Sequence, residues 1–128
     1  MSLNVLVVDD SSVTRKILRR TLGQTGLDLG NVLEAEDGAC ALDVLAKDPI
    51  DVVIADVNMP NVDGIELVTR MRASPTLKAI PVVVVTSNRS AQVTERLEQL
   101  GITAFLTKPF RPELFASAIR DLLPTKGA

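Results

Sequence analysis

Carboxylates, hydroxyls and an amine recur where short apolar runs end. Asp9-Asp10 follows Val5–Val8, Asp56 follows Val52–Ala55, Thr86-Ser87 follows Val82–Val85, and Thr107-Lys108 follows Ala104–Leu106. Each has an ordinary structural explanation: aspartates cap helices or open turns, threonine satisfies backbone groups, and lysine reaches into water. Together they suggest a chemistry. Two carboxylates about 4 Å apart repel by roughly 4 kcal/mol at an effective dielectric near 20, so three gathered at one place want a cation. A hard dication with oxygen ligands meets that need, and Mg²⁺ suits because it takes few carboxylates and keeps waters that a phosphate can replace. Lys108 neutralises a further part. A carboxylate beside a dication and an ammonium group can attack phosphorus and form an acyl phosphate. Asp56, between the acidic pair and the Thr86/Lys108 side, is the best nucleophile candidate.

Composition narrows the alternatives. The chain has no histidine, which removes Ser-His-Asp and Cys-His nucleophile pairs and most zinc sites. Its single cysteine, Cys40, permits no intrachain disulfide and reads as helix packing in a reducing compartment. Hydrophobic residues at 46%, charged residues at 23% and a net charge of −2 over 128 residues are the balance of one globular domain, with no bulk polycation for nucleic acid. The apolar runs are far shorter than the roughly 20 residues that span a bilayer, and Val5–Val8 has no basic leader, so the expectation is a cytoplasmic protein without a membrane partner.

Those strand ends must be positioned by the elements between them. The runs at Val5–Val8, Val32–Ala35, Val52–Ala55, Val82–Val85 and Ala104–Leu106 are continuous rather than alternating, as strands covered on both faces are. Between them lie amphipathic stretches. The first follows cap candidates Ser11 and Ser12, with Val13, Ile17, Leu18 and Leu22 expected on one face before a stop at Gly23. The second begins at Asp37 and ends at Asp48-Pro49; the third opens at Asp63 with Glu66 completing a capping box, and Pro75 marks its exit. Ser90 caps a fourth that runs to Gly101, and Pro112 opens a fifth carrying Phe115, Ala118, Ile119 and Leu122. Five alternations of strand and helix predict an α/β parallel sheet with helices on both faces, and ligands of such sheets lie at the carboxyl ends of the strands. The strand order does not follow from this pattern.

The chain resembles the receiver domains of bacterial two-component response regulators, in their single-domain form. The resemblance rests on Val-Val-Asp-Asp-Ser at 7–11, Glu-Ala-Glu-Asp-Gly at 34–38, Asp-Val-Asn-Met-Pro-Asn-Val-Asp-Gly at 56–64, Pro-Val-Val-Val-Val-Thr at 81–86 and Lys-Pro-Phe at 108–110, and covers residues 4–123 of a single domain spanning 1–128. It implies a flavodoxin-like (CheY-like) doubly wound five-stranded parallel sheet of order 2-1-3-4-5 with five helices. It makes Asp56 the phosphoacceptor, Asp10 a metal ligand, Asp9 a contributor through metal-bound water, and the Asn58 carbonyl the third protein ligand, for Mg²⁺ or alternatively Mn²⁺. Lys108, Thr86 and the amides of Asn58 and Ser87 would contact phosphoryl oxygens. Lys108-Pro109 would be a cis peptide, and Thr86 would couple to Phe105, where many relatives carry tyrosine.

Partners implied by the resemblance are a sensor histidine kinase and a downstream protein on the face of the fourth helix, fifth strand and fifth helix, around Glu95, Arg96, Ile102, Phe105 and Arg111. Arg15, Lys16, Arg19 and Arg20 form a basic stripe, read first as a solvated helix face, next as kinase docking and last as a nucleic-acid contact. The leading reading is a stand-alone phosphorylation switch, with chemotaxis or motility as its setting, that is no enzyme beyond self-phosphorylation from small donors and autodephosphorylation. Its rivals are a receiver cut from a longer regulator with an output domain, a metal-dependent phosphohydrolase, and a phosphate-independent scaffold.

Overall fold

A computed structural model describes residues 2–56, 64–86, 91–102, 104–107 and 111–122. In chain order the elements are β1 (Leu3–Val8), α1 (Ser12–Gly23), β2 (Leu29–Ala35), α2 (Gly38–Lys47), β3 (Val52–Asp56), α3 (Gly64–Ala73), β4 (Val82–Thr86), α4 (Ala91–Gln99), β5 (Ala104–Thr107) and α5 (Pro112–Leu122). The strands form one parallel sheet ordered β2-β1-β3-β4-β5. β2 begins three residues earlier than its apolar run because Leu29 pairs with Leu3 across a register shift.

Side chains alternate across the pleat, so the valine-rich strands supply two cores. Leu6, Val8, Val53, Ala55, Val82 and Val84 face one side with Ala41 and Leu45 of α2, Leu67, Val68 and Met71 of α3, and Leu97 of α4. Val5, Val7, Val52, Ile54, Val83 and Val85 face the other with Leu18 and Leu22 of α1 and Phe115 and Ile119 of α5. Continuous apolar runs are thus what a sheet covered on both sides requires.

The face expected on α1 needs correction. Leu18 and Leu22 are fully buried, but Val13 and Ile17 are 65% and 45% exposed. At roughly 100° per residue these are two separate stripes, and only the one holding Leu18 and Leu22 can meet the sheet. The helix starts are as expected where described: Ser11 caps α1, its hydroxyl accepting from the Thr14 N–H at 3.2 Å, and Asp37 caps α2, accepting from the Cys40 N–H at 2.8 Å. The cap candidates Asp63 and Ser90 lie outside the described residues.

The end of α4 is closed by a paired motif. Gly101 has φ +86°; its N–H donates to the Glu98 carbonyl and the Ile102 N–H donates to Leu97, each at 3.0 Å. Leu97 and Ile102 are the buried apolar pair that accompanies such a cap, so Ile102, expected on the partner face, is only 1% exposed and offers no surface there. Arg72 ties this corner to α3, donating to the carbonyls of Leu100 (3.1 Å), Lys78 (2.9 Å) and Ile80 (3.0 Å). Arg72→Ala would leave three carbonyls to water and is expected to cost about 2 kcal/mol, read as a lower urea midpoint with an unchanged slope.

Candidate functional site

The strand order brings the predicted carboxylates together. β1 and β3 are neighbours in the centre of the sheet, with Val8 opposite Ala55, so the residues that follow, Asp9 and Asp56, leave adjacent strands at the same edge. Strands sit about 4.8 Å apart, so the two residues occupy neighbouring positions on that edge. Asp56 is itself paired in register with Val85, one residue before Thr86, and Thr86 pairs with Thr107. Asp9 and Asp56 are buried, whereas Asp10 is exposed. Asn58, Ser87, Lys108 and Pro109 lie outside the described residues.

Asp9 is held firmly. Its N–H donates to the Ala35 carbonyl of β2 at 3.1 Å, and its Oδ1 accepts from the Ser11 N–H at 2.8 Å. Its own carbonyl accepts from Arg15 Nη1 at 2.6 Å. Arg15 also donates through Nε to Glu34 Oε1 at 2.8 Å, and Arg19, one turn on, donates to Glu34 Oε2 at 2.7 Å. The supposed basic stripe is therefore divided: Arg15 and Arg19 clasp one carboxylate, while Lys16 and Arg20 are exposed. Glu34 was not singled out in the sequence. The signal available was two arginines at i,i+4 on a helix beside a strand carrying an acid.

The Arg19 hydrogen bond holds the Glu34 carboxyl below its ordinary value of 4.5; burial opposes this and Arg15 adds to it. A carboxyl lowered on folding contributes stability that is complete above that ordinary value and is lost as pH falls through the folded value. Glu34→Gln is therefore expected to melt below the unaltered chain at neutral pH, with the difference closing in melts taken below about pH 4.5.

A second set of donor groups, Glu36, Asp37 and Cys40, lies within 4.8 Å of one another. Its closeness follows from the cap of α2, and the Asp37 carboxylate, then burial, push the Cys40 thiol up, so it stays protonated and packs. By donor chemistry, carboxylates such as those of Asp9, Asp10 and Asp56 suit a hard dication better than a group that includes a thiol.

The remaining switch and surface candidates lie on the far half of the sheet. Phe105 pairs in register with Val84, is half-buried, and packs against the α2/α3/α4 core. Glu95, Arg96 and Arg111 are exposed. An open groove between β5 and α5 is lined by Ala104, Phe105, Leu106, Leu114, Ser117, Ala118 and Asp121.

A carboxylate at the end of the third strand, an acidic pair at the end of the first and a 2-1-3-4-5 sheet are joined by direct similarity to known proteins. The family model described as the response regulator receiver domain matches residues 5–120. The chain belongs to this family. It is 37% identical over 124 residues to a chemotaxis protein CheY homolog of Campylobacter jejuni, covering 96% of this chain and 94% of that protein. It is 36% identical over 109 residues to chemotaxis protein CheY-3 of Vibrio cholerae, covering 85% and 82%. Among solved structures, Vibrio cholerae CheY4 superposes with a TM-score of 0.85 at 34% identity, covering 96% of this chain and 100% of that one, and the bacteriophytochrome response regulator AtBRR with 0.83 at 33%, covering 95% and 93%. This is a CheY-type receiver, the module of two-component signalling. Among the described residues no helix is long and apolar enough to cross a membrane.

Proposed function

We propose that the chain is a phosphorylation-dependent signalling switch that accepts a phosphoryl group on Asp56. The register that sets Asp56 beside Asp9 at the carboxyl edge of the central strands supports this reading most directly. A carboxylate oxygen of Asp56 forms a bond to phosphorus as the bond from phosphorus to the donor breaks. The leaving group, the imidazole of a sensor kinase's phosphohistidine or the carboxylate of a small acyl phosphate, takes the electron pair of that bond. Asp10 and Asp56, with the Asn58 carbonyl, would hold Mg²⁺ directly, Asp9 through water; Mn²⁺ is the alternative. When bound, the ion offsets negative charge on the phosphoryl oxygens and the carboxylates.

Lys108, Thr86 and the amides of Asn58 and Ser87 are assigned to the remaining phosphoryl oxygens, with Lys108-Pro109 in the cis form. Thr86 and Phe105 on neighbouring strands then bias two packings of the α4–β5–α5 face, where Glu95, Arg96 and Arg111 meet a downstream protein. The receiver works in the cytoplasm, and it matches a CheY homolog over 94% of that protein's length. Chemotaxis or motility is the proposed setting.

Intact-mass analysis after incubation with Mg²⁺ and acetyl phosphate tests the chemistry. One added phosphoryl group is expected on the unaltered chain and none on Asp56→Asn or on protein in EDTA. An adduct that survives Asp56→Asn would exclude Asp56 as the acceptor. Steady release of phosphate from an external phosphomonoester would instead favour a phosphohydrolase.

A further inference from the structure

We infer that Arg15 is a positioning residue for the metal-binding loop, aligning Asp10 through the Asp9–Asp10 peptide while Glu34 holds its guanidinium in place; this rests on the receiver site proposed above. Asp10 is exposed, so its carboxylate is placed by the backbone that carries it. A peptide unit is planar, so the orientation of the Asp9 carbonyl dictates where the Asp10 nitrogen and Cα lie. Arg15 Nη1 fixes that carbonyl from one side at 2.6 Å, and the Asp9 N–H is fixed from the other by Ala35 of β2.

The guanidinium can do this because it is anchored twice. Nε is held by Glu34 Oε1, whose carboxylate is itself held by Arg19, and the Arg15 side chain is only 15% exposed. A planar fork presents Nε and Nη1 in fixed relative directions, so one residue bridges β2 and the β1–α1 loop, which a single ammonium group cannot reproduce. Glu34 is shared by Arg15 and Arg19, so the clasp keeps one net positive charge beside the acidic site, and its geometric and electrostatic effects have to be separated by experiment.

Positioning and simple charge make opposite predictions. Removing a positive charge near a dication site should tighten Mg²⁺ binding if charge is all that matters. If Arg15 aligns the loop, removing it should weaken binding, by roughly tenfold, as for other groups that orient metal ligands. Isothermal titration with Mg²⁺ distinguishes the two on the unaltered chain, Arg15→Ala, Arg15→Lys and Lys16→Ala. Matched circular dichroism at low temperature establishes that the folded forms are being compared.

The expected result is an Mg²⁺ Kd raised about tenfold in Arg15→Ala and severalfold in Arg15→Lys, with Lys16→Ala unchanged or slightly tighter. A Kd for Arg15→Ala equal to or below that of the unaltered chain would overturn the assignment. Should Arg15→Ala fail to fold, Arg15→Lys decides, and an unchanged Kd there is equally fatal. Asp10→Asn in the same series separates the two levels. If it binds Mg²⁺ as the unaltered chain does, or if neither binds, the receiver-site reading fails and takes the Arg15 assignment with it. If Asp10→Asn alone loses binding, the site stands and Arg15 does not position it.

Discussion

An Asp10→Asn protein is expected to melt slightly higher than the unaltered chain in EDTA and to lose most of its Mg²⁺-dependent phosphorylation. The two effects have one cause. Asp9 and Asp56 are buried at adjacent strand ends and Asp10 follows directly, so like charges are concentrated at one edge when no cation is bound. Asparagine removes one charge with little change of shape. Because Asp10 is exposed, solvent screening keeps the gain small, on the order of 2 °C in Tm. Losing an electrostatic stabiliser at a phosphoryl-transfer site typically costs on the order of 100-fold in rate, and the intact-mass time course with acetyl phosphate would read that loss. A variant that melts lower in EDTA while keeping its phosphorylation rate would make Asp10 a structural residue of the β1–α1 turn. Opposite signs for stability and activity mark a group retained for function at a cost to the fold.

Asp9, Asp10 and Asp56 were legible because their signal is local: each closes an apolar run, and a parallel sheet puts such residues at one edge. Which strands are neighbours is not local information. The Arg15–Glu34–Arg19 clasp depends on β2 lying beside β1, and nothing in the periodicity of either segment requires that order. The arginines consequently read as a solvated stripe although two of them close a contact across elements.

Two apolar misassignments have the same origin at shorter range. Val13 and Ile17 belong to a helix with apolar residues on more than one side, and hydrophobicity alone does not say which stripe meets the sheet. The resemblance puts Ile102 on the partner face, but the left-handed Gly101 turns the chain back and buries Ile102 beside Leu97. The valine-rich strands carried no such ambiguity, since residues of both parities are apolar and either face finds a core.

Phe115→Ala is expected to produce the largest loss of stability. The ring is fully buried in the core that joins Leu18 and Leu22 of α1, Ile119 of α5, and Val83 and Val85 of β4. The chain has three phenylalanines and no tyrosine or tryptophan, so few side chains could fill the space. Truncating a buried phenylalanine typically costs 3–5 kcal/mol, roughly a fifth or more of the about 5–15 kcal/mol that holds a domain together. The urea midpoint should fall accordingly with little change in slope, whereas Phe115→Leu, which keeps most of the volume, should lose about 1.5 kcal/mol or less. A loss below about 1 kcal/mol for the alanine variant would mean that α5 does not pack against β4 through this ring. Because Phe115 lies in the core on the α1/α5 face and Asp9, Asp10 and Asp56 lie at the strand ends, the fraction that remains folded should still accept a phosphoryl group. Stability would then fall while the chemistry per folded molecule holds, the reverse of the Asp10→Asn pattern.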